Sequence, residues 1–263
     1  MTRFPFEHDG LTFSYLDSGG PLPVMIALHA HWMEASTFIP LAAALGSEWR
    51  IVALDQRGHG YSDHGKTYSR EDYLGDLDSL FDHLRVQEAV LIGNSLGGVN
   101  AYQYAARRPE RVRALVIEDI GVEISDDLPP MAGWAGSFRT REELEKQLPR
   151  FAPYLRESFR ETAAGWRLAF DPREMMLSHT CLVGSYWNDW VSTSCPAIVI
   201  RGSESRVTTA AHVAEMVRRR PNTQMLTLNG GHVLHSDGLA AFAEAVRSFS
   251  HIGRCWAICS SKK

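Results

Sequence analysis

Along the chain, short apolar runs alternate with stretches of helical period. Six runs are almost continuously apolar: Val24–Leu28, Ile51–Leu54, Ala89–Ile92, Ala114–Ile117, Ala197–Ile200 and Met225–Leu228. Such runs suit strands buried on both faces, as parallel strands covered by helices are. The earlier stretch Leu11–Tyr15 alternates instead and lies between Asp9-Gly10 and Gly19-Gly20, which predicts an antiparallel strand at the sheet edge. Between the runs, Ser69–Leu84 opens with Ser69-x-x-Asp72, a capping-box pattern, and sets Tyr73, Leu77, Leu80, Phe81 and Leu84 on one helical face. Leu239–Phe249 repeats that logic with Leu239, Phe242, Val246 and Phe249. Strands and helices in regular succession predict an α/β fold, a mostly parallel sheet wrapped by helices.

Two stretches break the alternation. From Glu123 to Ser194, roughly seventy residues stand where one crossover is needed, so the segment reads as an insertion. It divides the chain into a core of residues 1–122 and 195–250 and a helical cap of residues 123–194. The insertion holds Trp134, Trp166, Trp187 and Trp190, four of the seven tryptophans, and Thr140-Arg141-Glu142-Glu143 marks a helix start within it. Aromatics at such spacing first serve packing, and only some of these are needed to roof a pocket. The second break comes after Ser250, where residues 251–263 show neither a strand nor a convincing helix period and read as a frayed tail.

Charge and cysteine usage narrow the function. The 263 residues carry 27 Lys and Arg against 31 Asp and Glu, a net charge of −4, and no polybasic stretch, so neither nucleic acid nor an anionic membrane is an expected partner. No apolar run approaches the roughly 18 residues of a membrane span, and the first residues show no export signal. Cys181, Cys195, Cys255 and Cys259 are few and unevenly spaced, which suits free thiols in a reducing cytoplasm. The expectation is a cytoplasmic monomer or homodimer acting on a small molecule. Without an H-E-x-x-H, a Walker loop or paired cysteine motifs, no metal and no cofactor is expected.

The strongest chemical signal follows the run Ala89–Ile92. Gly93-Asn94-Ser95-Leu96-Gly97-Gly98 sets a G-x-S-x-G between a strand and the helix-compatible stretch Val99–Ala106, the context of a nucleophile elbow. A serine on so sharp a turn occupies a strained backbone, and its neighbours two positions away must lack side chains so that strand and helix can approach. The helix N-terminus behind it favours negative charge there. A serine hydroxyl also needs a base to take its proton and a carboxylate to orient that base.

With this elbow, the chain resembles the α/β-hydrolase fold superfamily from about residue 10 to 250. The other resembling motifs are Leu28-His29-Ala30-His31-Trp32, Asp55-Gln56-Arg57-Gly58-His59-Gly60-Tyr61-Ser62 and Gly231-His232-Val233-Leu234-His235. The resemblance implies an eight-stranded sheet, a cap inserted after strand 6, Ser95 as nucleophile and His232 as base. It also implies an oxyanion hole from the backbone N–H groups of His31 and Leu96, although Ala30 replaces the usual glycine. Many members carry the acid as Gly-x-x-Asp after the penultimate strand, but here that slot reads Gly202-Ser203-Glu204-Ser205. The superfamily's second solution places the acid at the end of the strand after the nucleophile helix, at Glu118-Asp119. Strand alternation turns these two to opposite faces, and Asp119 is the reading taken, with Glu204 as its competitor. Asp55 and Asp63 read as parts of a turn network.

The function implied is a serine esterase acting on a small to medium carboxylic ester, lactones included, with Trp32 and Trp187 against the substrate. Two alternatives stand beside it: a C–C bond hydrolase of the same fold, and a ligand-binding receptor of low turnover.

Overall fold

The computed structural model describes residues 1–125, 128 and 131–260. Eight strands form one sheet: β1 (Thr2–His8), β2 (Leu11–Asp17), β3 (Val24–Leu28), β4 (Arg50–Asp55), β5 (Ala89–Asn94), β6 (Val112–Glu118), β7 (Ala197–Gly202) and β8 (Thr223–Leu228). Their order is β1-β2-β4-β3-β5-β6-β7-β8. The pairings β1–β2 and β2–β4 are antiparallel, and those from β4 to β8 are parallel. Each of the six apolar runs lies in a strand. Four strands extend past their runs into polar residues, Asp55, Asn94, Glu118 and Arg201, at the carboxyl ends where a doubly wound sheet keeps its crevice.

Alternate residues of the central strands enter two separate cores. Ile26, Leu28, Leu91, Leu115 and Val199 face the helices α2 (Arg70–Leu84) and α3 (Leu96–Arg107), and meet Leu80, Phe81 and Tyr102. Met25, Ala27, Ile92, Val116 and Ile200 face the other side, under Phe38, Phe242 and Val246. Covering both faces is what made these strands uniformly apolar. The capping box at α2 forms as read: Ser69 accepts from the Asp72 N–H, and the Asp72 side chain accepts from the Ser69 N–H.

Three expectations change. The strand at Leu11–Asp17 is not the edge, because Thr2–His8 pairs along its whole length and lies outside it. Only Phe6 of that outer strand is buried, so it carries no visible period, and Pro5 is tolerated because an edge strand can leave a position unpaired. The insertion is not wholly helical. Beside the helices Arg141–Gln147, Pro172–Leu182 and Trp187–Val191 it holds a hairpin of Phe159–Thr162 with Gly165–Leu168, and Glu123–Ile124 pairs with Gly184–Ser185. Finally, the last helix runs Leu239–Ser260, well into the segment expected to be a tail. Trp256, Ala257 and Ile258 prolong the apolar character, and the single Gly253 does not stop the helix. The side chains of Cys255 and Cys259, and all of residues 261–263, lie outside the described residues.

Candidate active site

Ser95 stands between β5 and α3 with φ 52° and ψ −116°, a backbone conformation that side-chain-bearing residues rarely take. The flanking glycines make this turn possible. A Cβ on Gly93 would lie 2.2 Å from the Gly97 carbonyl oxygen, and one on Gly97 would lie 2.1 Å from that of Leu28. The Ser95 N–H donates to the Glu118 carbonyl at 3.1 Å, fixing the elbow to β6. Asn94 adds a second tie, its Nδ2 donating to the carbonyls of Glu118 and His232.

Asp119 sits one residue past β6, also at positive φ (51°), with its carboxylate fully buried. His232 Nδ1 lies 2.7 Å from Asp119 Oδ2. The carboxylate takes two further donors, the Gly202 N–H at 3.0 Å and the Ser205 hydroxyl. Ser205 thus occupies the family's usual acid slot, where it donates to Asp119. No local pattern in the sequence marks Ser205 as such a donor. Glu204, the competitor, is exposed and makes no hydrogen bond to a histidine among the described residues.

Ser95 and His232 face one cavity of about 300 Å³ between sheet and cap. No hydrogen bond joins Ser95 Oγ to His232 among the described residues, which is common before a substrate arrives. Trp32, Met33, Ile120, Phe151, Leu155 and Leu182 supply most of its apolar wall. Trp32 meets Phe151 and Trp134 edge-on, with ring centroids 5.1 and 5.4 Å apart. Trp187 does not line this cavity. It sits on the short helix Trp187–Val191, where its indole N–H donates to Glu123 and Arg219 covers its face at 4.1 Å, so it packs the cap's outer seam. The wall residues Tyr154 and His179 escaped the sequence reading: they stand on the one-turn helix Ala152–Leu155 and on Pro172–Leu182, where nothing local marks which side chains face the cavity.

The backbone N–H groups of His31 and Leu96 donate no hydrogen bond to the described residues. Around them the histidines are held neutral by burial: His29 falls to about 4 and His59 to about 3, and His31 is pushed well below the usual imidazole range. His29 and His59 are each tied to a backbone carbonyl through Nδ1. Asp55 accepts from the Ala35 and Tyr61 N–H groups and from Arg3, and Asp63 accepts from the Thr12 N–H, which is the turn network expected of both. Among the described residues, no group of acidic, histidine or cysteine side chains is arranged to hold a metal ion, and no helix is long and apolar enough to cross a membrane.

Known proteins agree with this architecture. Over 91% of this chain and 84% of its own length, the sn-1-specific diacylglycerol lipase ABHD11 of Mus musculus is 28% identical. The 2-(acetamidomethylene)succinate hydrolase of Mesorhizobium japonicum is also 28% identical, over 80% of this chain and 81% of its own. The crystal structure of an E-2-(acetamidomethylene)succinate hydrolase superposes with a TM-score of 0.82 at 23% identity, covering 95% of this chain and 99% of that one. The family model of the alpha/beta hydrolase fold matches residues 23–239, and the chain belongs to that family.

Proposed function

We propose that this protein is a serine hydrolase cleaving small to medium carboxylic esters, lactones included, through an acyl-enzyme. The observation that carries the reading is the pairing of a strained, glycine-flanked Ser95 with a His232–Asp119 couple at one apolar cavity. Ser95 Oγ attacks the ester carbonyl while His232 Nε2 takes its proton. Asp119 holds the imidazole in the tautomer with Nδ1 protonated and balances the imidazolium that forms. Negative charge on the carbonyl oxygen is received by the N–H groups of His31 and Leu96, the latter at the start of α3. Collapse expels the alcohol, which takes the proton from His232, and water then releases the acid by the same steps in reverse order.

The cavity supports that substrate class. Its described lining holds one cation, Arg150, and no carboxylate, so neutral or anionic acyl groups suit it better than cationic ones. An apolar wall with a few convergent polar groups is the common form of a small-molecule pocket. The relatives support an ester or a related bond as the target, since one is named a lipase and another a hydrolase of an acetamido compound.

The test is a series of p-nitrophenyl esters of increasing acyl length, run with wild type and Ser95→Ala. Wild type is expected to turn over short and medium esters and to be labelled at Ser95 by a fluorophosphonate, with Ser95→Ala losing both. Equal rates for the two proteins would end the ester reading. Turnover of a ring-fission dienol in place of esters would favour C–C hydrolysis, and tight saturable binding without turnover would favour a receptor.

A further inference from the structure

Resting on that reading, we propose that the cap holds the oxyanion-binding turn in its working shape through Ser158, Arg160 and Ser178, positioning residues that never touch the substrate. The turn spans Ala30 to Met33 and is closed by the Met33 N–H donating to the Ala30 carbonyl at 3.3 Å. Its third residue, Trp32, has φ 71°. That is the position a type II turn normally gives to glycine. A bulky aromatic there is a conformational outlier that persists only when its surroundings hold it.

Those surroundings are cap side chains. Ser158, just before the cap hairpin, donates its hydroxyl to the Trp32 carbonyl at 2.7 Å. Ser178, on the cap helix Pro172–Leu182, lies 2.9 Å from His31 Nε2 and is itself held by the Tyr73 hydroxyl at 2.7 Å. Arg160, on the first hairpin strand, pairs with the Glu34 carboxylate. Thus residues 31, 32 and 34 each take a partner from the cap. On either side the sheet domain takes over, with the Gln56 N–H bound to His29 Nε2 and the Ala35 N–H bound to Asp55. Ser158 and Ser178 are buried, at 1% and 0% exposure, and none of the three lines the cavity.

A mere roof would touch the substrate or exclude water. These contacts instead converge on the turn that carries the His31 N–H, one on the Trp32 carbonyl and two on the side chains of His31 and Glu34. Relief of the positive φ at Trp32 rotates the 31–32 peptide and carries the neighbouring N–H of His31 away from the developing oxyanion. Opening of the cap therefore disarms the chemistry as well as admitting solvent.

Ser158→Ala, Ser178→Ala and their combination test this with p-nitrophenyl butyrate and with a trans-cinnamoyl ester of Ser95 read by infrared spectroscopy. Displacing a catalytic donor by about 1 Å lowers kcat about 10- to 100-fold. A loss of that order is expected, with KM nearly unchanged, because neither serine lines the pocket. The acyl carbonyl band should move to higher frequency, as its polarisation weakens, and Ser158→Thr, which keeps a hydroxyl, should restore both band and rate. An unchanged kcat and band in a variant of lowered melting temperature would reduce these contacts to cap docking and overturn the proposal. So would a raised KM at constant kcat, since it would mean that the cap acts through binding. If wild type neither acylates at Ser95 nor cleaves the ester, the hydrolase reading itself fails and this inference falls with it.

Discussion

Two histidine–carboxylate pairs lie three residues apart at one end of the sheet, and the same chemistry gives them different capacities. In each, an imidazole Nδ1 stands 2.7 Å from a carboxylate oxygen: His232 with Asp119, and His235 with Glu118. The acids are neighbours in sequence, and strand alternation sends them to opposite faces. Glu118 enters the core beneath Phe38 and Phe242, where His235 is fully buried, stacks on Phe38 and has its Nε2 taken by Thr37 at 2.9 Å. Asp119 turns to the crevice, where the His232 side chain stays 29% exposed and lines the cavity. A carboxylate partner alone therefore does not fix what a histidine can do. What separates the two is the Nε2 of His232, which takes no hydrogen bond among the described residues and belongs to a side chain that lines the cavity.

The largest expected effect breaks the pair proposed for catalysis. Asp119→Asn keeps the shape but offers the imidazole an amide, which no longer enforces the tautomer, and kcat is expected to fall about 10⁴-fold. Glu204→Gln should leave kcat nearly untouched, because Glu204 is exposed and makes no hydrogen bond to His232 among the described residues. Steady-state rates on one ester decide the matter, and the opposite ranking would return the acid to the slot after β7.

Next in size is the buried pair, whose expected loss is in stability. Glu118 accepts both the His235 N–H and Nδ1, so Glu118→Gln leaves polar atoms in the core without their partner. Breaking a fully buried pair of this kind costs about 3 kcal/mol or more, which for a chain of this size lowers the melting temperature by about 10 °C. Glu118→Leu combined with His235→Phe should recover much of that loss, since a well-packed apolar pair needs no desolvation of charge. Calorimetry on the single and double variants measures it. A folded Glu118→Gln protein with unchanged melting temperature but kcat as low as that of Asp119→Asn would instead make Glu118 part of the catalytic machinery.

The unequal legibility of these parts has a physical basis. β3 to β7 could be read because burial on both faces leaves a continuous apolar run, and Ser95 because its turn demands glycine at 93 and 97. Alternation at the end of β6 likewise separates Asp119 from Glu118 in the sequence. Thr2–His8 was not legible, since one buried phenylalanine makes no period. Ser205, Ser158 and Ser178 were not legible either, because each acts through one contact with a residue far away in sequence, and no local pattern encodes such a contact. Trp187 misled for the converse reason: it shares the cap's composition with the pocket aromatics, while its position is set by Glu123 and Arg219.

The smallest effect expected of a single substitution concerns histidines that hydrogen-bond to no carboxylate and sharpens what the two pairs gain from theirs. His29 and His59 lie near the same crevice, fully buried and hydrogen-bonded to backbone carbonyls, and burial holds their imidazoles at about 4 and about 3. An unfolded chain protonates them near 6.5. Between that value and the folded ones, the unfolded state binds protons that the folded state refuses, so stability is full above about pH 6.5 and falls as the solution is acidified. Each of these histidines adds a slope of about 1.4 kcal/mol per pH unit across that window. The melting temperature should therefore drop steadily from pH 7 to pH 5. His59→Asn, which keeps a donor for the Arg57 carbonyl but cannot titrate, should make that drop shallower. A profile that is flat in wild type, or equally steep in the variant, would mean that water reaches these rings and that burial does not set their charge.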